Sequence, residues 1–167
     1  MATRISPPQS KAVTPRPLPT GPSHLVIAPS RIHSFGCYTT VPIKKGAYVV
    51  EYTGEVLSVK EADRRYEESD HTFLFGLSDG KGVIDGNGVA AFINHSCDGN
   101  CETEEVDGHI WIVAVRDIAA GEELSYDYCM YDGDGNALCN CGARKCRGTM
   151  YVKRPKRRSK TKTRPKR

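Results

Sequence analysis

Along the middle of this chain, runs of β-branched and aromatic residues last only four or five positions before Gly, Asp or Pro interrupts them: Leu25 to Ala28, Cys37 to Thr40, Tyr48 to Tyr52, Phe73 to Leu77 and Ile110 to Ala114. Runs of that length and content suit strands, and the breakers between them suit turns. Only Val59 to Glu68 reads as a helix, opened by Ser58 with Glu61 three residues on, the spacing of a capping box. Ala90 to Ile93 adds one further helical turn, and no internal repeat is visible. The predicted fold class is mainly β, with one or two short helices.

Composition narrows which residues can take part. The first 24 residues carry three cations, no acid and little apolar content, and residues 153–167 carry ten cations and no acid. Both ends are therefore predicted to be disordered, a proline-rich extension over 1–24 and a basic tail over 152–167. Thirteen of the 24 cations lie in these ends, which leaves 11 against all 20 acids in the middle, a net charge of −9. An acidic body suits a cationic partner and argues against the body itself gripping nucleic acid. No apolar stretch is long enough for a membrane helix, and the start Met-Ala-Thr-Arg lacks a secretory core. The expected location is intracellular: nucleus or chromatin for a eukaryotic or host-targeted protein, cytoplasm for a bacterial one.

Seven cysteines, an odd number in such a setting, read as thiols and metal ligands rather than a disulfide framework. Cys139 and Cys141 flank one residue, Cys146 follows after four more, and Cys97 stands far upstream.

Four motifs follow one another in order: Tyr52-Thr-Gly-Glu-Val56, Asn94-His-Ser-Cys97 continuing to Cys101, Gly121-Glu-Glu-Leu-Ser-Tyr-Asp-Tyr128, and Cys139-Asn-Cys-Gly-Ala-Arg-Lys-Cys146-Arg-Gly. Together they resemble the SET domain of protein lysine methyltransferases followed by its post-SET extension, over 25–130 and 135–151. The resemblance implies a β-fold of small sheets, with the segment after Tyr128 threaded past the Asn94 loop in a pseudoknot-like arrangement. With no cysteine-rich block before Leu25, the expected unit is a minimal one.

The same resemblance implies S-adenosylmethionine as methyl donor. It would be held by His33, Phe35, Gly36 and Cys37 around an early turn, by Phe73, and by Asn94 and His95 at its methionine end. Ser34 replaces the first glycine of that turn, so either it adopts a conformation glycine favours or the loop shifts. Phe73 and Ala91 stand where the family often has tyrosine and arginine. Tyr128 matches the catalytic tyrosine and Tyr126 the position that limits how many methyl groups are added, implying mono- or dimethylation. The plainer alternative for Tyr126 and Tyr128 is an aromatic pair facing the core at strand spacing. Cys97, Cys139, Cys141 and Cys146 would hold structural zinc, leaving Cys37, Cys101 and Cys129 as buried free thiols. Glu51, Glu55 and Asp85 lack the motif context of a paired-carboxylate hydrolase.

The implied partner is a basic protein substrate such as a histone tail. A contrasting reading makes residues 153–167 a nucleic-acid or chromatin contact with the SET region an inactive scaffold. The same tail could also serve as an import signal or as a substrate for its own body.

Overall fold

The computed structural model describes residues 22–67, 73–78, 80, 82–130 and 137–152. The two terminal segments expected to be disordered therefore lie outside the described residues, apart from 22–24 and 152, as does Glu68 at the end of the predicted helix. Among the described residues the protein is mainly β, as expected. Strands β1 (Leu25–Pro29) and β2 (Phe35–Thr39) form a hairpin, and β3 (Tyr48–Glu51) lies at the edge of a second sheet completed by β8 (Cys101–Val106) and β9 (His109–Ala114). A third sheet has the order β4 (Gly54–Ser58), β6 (Gly82–Gly86), β5 (Leu74–Gly76), and all three sheets are antiparallel.

Within these three sheets, β4, β6 and β8 fall outside the runs read as strands from sequence. In β8, Glu102, Glu104 and Glu105 are exposed while Cys101 is buried, so its pairing with β9 supplies what its hydrophobicity does not. The connection is a tight Asp107-Gly108 turn with φ values of 51° and 80°, the left-handed pair that an Asp-Gly hairpin accommodates. The helix α1 (Val59–Tyr66) starts where predicted, with Ser58 Oγ accepting the Glu61 N–H at 3.2 Å. Only half of the capping box forms, because the Glu61 carboxylate turns to Arg64 at 2.7 Å. The predicted helical turn is a 3₁₀ turn over Val89–Phe92.

The core is aliphatic: Ile93, Ile110, Ile112, Ile118 and Leu124 are essentially inaccessible, with Thr39 and Cys37 among them. Ile93 leads directly into β7 (Asn94–His95), which pairs in parallel with β10 (Ser125–Tyr126). Around this short pairing the loop 94–100 embraces the later strand. Ser96 N–H donates to the Tyr126 carbonyl at 2.9 Å, and the Asn100 side chain donates to the Glu123 carbonyl at 2.8 Å while accepting the Ser125 N–H at 2.9 Å. Asn100 is 2% exposed, so each of these bonds replaces water that cannot enter. Gly99 closes the loop, and a Cβ there would stand 2.5 Å from the Ser125 carbonyl oxygen and 2.8 Å from Tyr126 Cα. The clasped residues, Glu123–Tyr126, precede the segment after Tyr128 whose threading past the Asn94 loop the resemblance implies.

Gly99→Ala is expected to cost more than ~2 kcal/mol, lowering Tm by roughly 8 °C or more, because both neighbours are backbone and cannot yield. Gly76→Ala, with open space around it, serves as the control and should stay within ~0.5 kcal/mol of the parent protein. Equal melting of the two variants would show that the loop does not clasp the strand.

Candidate functional site

The embraced segment carries its tyrosines into a shared pocket. Tyr126 is buried and its ring lies 4.9 Å from that of Tyr128, tilted by 47°. Tyr128 is 37% exposed, but its hydroxyl is drawn inward and donates to the Ile93 carbonyl at 2.9 Å. Its N–H donates to His95 Nδ1 at 3.2 Å, and the two rings meet edge to face at 5.3 Å. Tyr52, from the first motif, is a third member, its hydroxyl donating to the Phe73 carbonyl at 2.8 Å. Burial pushes the Tyr128 phenol up to about 12, and raises Tyr126 and Tyr52 as well, each reinforced by its tyrosine neighbours. All three hydroxyls are therefore protonated at neutral pH. With the Tyr128 and Tyr52 protons already given to backbone carbonyls, the trio presents hydroxyl oxygens and aromatic walls, and it cannot supply a phenolate base.

Asn94 organises the adjoining turn. Its amide nitrogen donates to the Phe35 carbonyl at 2.9 Å, to Glu123 Oε1 at 2.9 Å and to Ser30 Oγ at 3.3 Å. Glu123 also accepts from Ser30 Oγ at 2.8 Å and from the Tyr38 hydroxyl at 3.0 Å. Gly36 is the cradle for this carboxylate, since a Cβ there would lie 2.2 Å from Glu123 Oε1. Ser34 takes φ 34°, so it adopts the left-handed conformation that the missing glycine would favour, and the turn is kept at a cost of ~1–2 kcal/mol.

The structure thus brings Phe35, Gly36, Asn94, His95, Tyr126 and Tyr128 together, with Phe73 joined through Tyr52. The Phe35 ring is 53% exposed beside this turn and offers an apolar face to a ligand. His33 lies on the exposed part of the same turn. Cys37 is fully buried, its carbonyl taken by the Leu124 N–H at 2.8 Å, so its side chain belongs to the core rather than to the pocket. The exposed aromatic face of Phe35 and the backbone of the adjoining turn suit a nucleoside, while the Asn94–Glu123 knot braces that turn from behind through hydrogen bonds already made within the protein.

Cys97, Cys139, Cys141 and Cys146 place their sulfurs within 4.8 Å of one another. Cys97 and Cys139 are 3.7 Å apart, matching the ~3.8 Å sulfur spacing of a tetrahedral site with metal–sulfur bonds of ~2.3 Å. Backbone N–H groups of Arg147 and Gly148 point at Cys97 Sγ and Cys146 Sγ from 3.4 and 3.3 Å, as amides do around thiolates. Burial pushes the Cys141 thiol up, but backbone amides of Cys97 and Ala143 outweigh it and bring it down to about 6. His95 Nδ1 accepts from Tyr128, so its Nε2 carries the proton toward Cys97 Sγ at 3.5 Å; burial keeps the ring neutral. Among the remaining cysteines, Cys37 and Cys101 are buried as expected, whereas Cys129 is exposed.

Sequence reasoning did not single out Ser30, Tyr38, Glu123, Asp127 or Arg147. Glu123 lies inside the third motif, but its importance depends on Ser30, Tyr38 and Asn94 arriving from three other parts of the chain.

A SET domain profile matches residues 34–129. The chain is 38% identical over 139 residues to the histone-lysine N-methyltransferase ATX2 of Arabidopsis thaliana, which covers 75% of this chain and 13% of that protein. It is 40% identical over 130 residues to the histone-lysine N-methyltransferase trithorax of Drosophila virilis, covering 71% of this chain and 3% of that protein. It is 41% identical over 138 residues to an Emericella nidulans histone-lysine N-methyltransferase, H3 lysine-4 specific, covering 74% and 11%. The chain thus spans a small part of the length of the curated relatives it matches.

Metal analysis of the purified protein is expected to find stoichiometric zinc. Cobalt substitution should give the intense sulfur-to-metal charge-transfer bands of a four-thiolate site, weakened in Cys146→Ser. Chelation that removes the ion should lower Tm; a metal-free protein with unchanged melting would reject the site.

Proposed function

The chain belongs to the SET-domain family, and from that premise we propose that it is a protein-lysine N-methyltransferase using S-adenosylmethionine, directed at histone tails and stopping at one or two methyl groups. The observation that carries this reading is the tyrosine trio, with Tyr52 and Tyr126 buried and the partly exposed Tyr128 fastened to the Ile93 carbonyl. The relatives' names, all of histone-lysine N-methyltransferases, support the substrate class, and the net −9 body supports attraction of Lys-rich tails.

S-adenosylmethionine, when bound, supplies an electrophilic methyl group on a sulfonium. The protein's part is to present a neutral lysine nitrogen in line with it. A lysine ammonium with a reference pKa near ~10.4 loses its proton more readily once withdrawn from water among aromatic rings. Tyr128 is protonated up to about pH 12 with its proton given to the Ile93 carbonyl, and so it offers the amine a fixed acceptor oxygen and a wall. With Tyr52 and Tyr126 it orients the amine, and solvent removes the proton. Positioning of this kind accounts for large rate factors without a protein base. The Tyr126 hydroxyl, buried beside Tyr128, narrows the space in which a methylated amine must turn to attack again. Phe35, Gly36, Asn94 and His95 would hold the cofactor, and the cysteine cluster would pin the segment that closes the channel.

Core histones incubated with labelled S-adenosylmethionine should accept label on lysine. Tyr128→Phe is expected to lower kcat by ~10²–10³-fold with melting unchanged. Tyr126→Phe should shift products, read by mass spectrometry, toward higher methylation. Equal labelling by the parent and Tyr128→Phe would remove Tyr128 from the mechanism.

A further inference from the structure

Asp127 stands between Tyr126 and Tyr128, and with side chains alternating along an extended segment it faces away from the pocket, toward the cysteine-bearing chain. There Arg147, the residue after Cys146, grips it with both branches of its guanidinium: Nη1 donates to Oδ2 at 2.5 Å and Nη2 to Oδ1 at 3.0 Å. Each side chain is only 30% exposed. Such a forked pair fixes orientation as well as distance, which a lysine in the same place would not do.

Both ends of the pair are tied to functional parts. Arg147 N–H points at Cys97 Sγ from 3.4 Å, and Nη2 also reaches the Met150 carbonyl at 3.4 Å. On the other side, Asp127 Oδ1 accepts the Cys129 N–H at 3.0 Å. Cys129 has φ 49°, so this bond holds a left-handed turn immediately after Tyr128. Oδ1 also lies 3.7 Å from His95 Nδ1, the atom that accepts the Tyr128 N–H. Although burial pushes the Asp127 carboxyl up, Arg147 holds it below the usual carboxylate range, so the pair is intact at neutral pH.

We infer that Arg147 and Asp127 are positioning residues that transmit the order of the cysteine cluster to Tyr128, holding its amide on His95 and its hydroxyl on the Ile93 carbonyl. The cysteine cluster ties its segment to Cys97, two residues beyond β7, and past the cysteines the Val152 N–H donates to the Met130 carbonyl at 2.9 Å. Arg147 adds an anchor between these two, on the residue immediately before Tyr128, and without it Tyr128 and Cys129 are held only by ties on either side. The Asn94–Glu123 knot lies on the opposite side of Tyr126 in sequence and does not depend on the pair. Loss of the pair should therefore disturb the lysine side of the site far more than the cofactor side, where Phe35, Gly36 and Asn94 keep their own ties and His95 alone touches the pair.

The kinetic arm of the test rests on the lysine-methylation reading; a structural arm does not. In the zinc-loaded full chain, Arg147→Ala and Asp127→Asn should each speed hydrogen exchange of the Tyr128 and Cys129 amides while zinc content stays stoichiometric. Affinity for S-adenosylmethionine should stay within roughly twofold, and kcat on core histones should fall roughly ten- to a hundredfold, the scale of a small misplacement. The double variant should be no worse than the poorer single one, and Arg147→Lys should be intermediate. Unchanged amide exchange would overturn the inference, as would losses of zinc or cofactor affinity that parallel the loss of kcat. If the parent protein transfers no methyl group to any histone, the methylation reading fails while the exchange comparison still decides the role of the pair.

Discussion

A two-residue parallel pairing, Asn94–His95 against Ser125–Tyr126, is the constraint from which the functional geometry follows. So short a ladder has little stability of its own, and its strength comes from what surrounds it. The Asn100 side chain satisfies Ser125 and Glu123, Gly99 lets two backbones touch, and Asn94 ties the pairing to the Phe35 turn through Glu123. Because Tyr126 and Tyr128 ride on or just beyond one partner while His95 and Cys97 ride on or just beyond the other, fixing this register sets the tyrosines and the first cysteine of the cluster together. A slip of one residue would turn the tyrosines outward.

The outer rim is braced by charge in the same region. Arg116 hydrogen-bonds Glu122 and holds its carboxyl down at about 2, against the upward push of partial burial, while Glu122 also accepts from Asn100 at 3.1 Å. On the far sheet, Arg65 joins exposed Glu55 to Asp85, a carboxylate 3% exposed that would be costly to bury alone. Both arrangements serve the scaffold, in keeping with the reading of Glu55 and Asp85 as something other than a hydrolytic pair.

Much of this was legible beforehand because it is local or ordered in sequence. The strands over Leu25, Tyr48 and Ile110 announce themselves through β-branched residues, and Ser58 caps the helix that its spacing to Glu61 suggests. The cysteine spacing marks a cluster before any coordinates are known. What stayed hidden depends on distant partners. The Glu-rich β8 looks like solvated chain until β9 pairs along one of its edges. Glu123 reads as an ordinary surface carboxylate until Ser30, Tyr38 and Asn94 converge on it. Arg147 reads as one more cation near a basic tail, and only its 20-residue reach back to Asp127 distinguishes it.

The order in which such a chain emerges during synthesis gives the Asn94–Ser125 pairing a further consequence. The hairpin of β1 and β2 and the turn at Asp107-Gly108 close between near neighbours and can form early. The pocket cannot, since its parts are separated by some thirty residues and its last cysteine lies farther still, and contacts of that range are slow to find one another. A nascent chain therefore closes its local hairpins before it can bring the tyrosines and the four cysteines together.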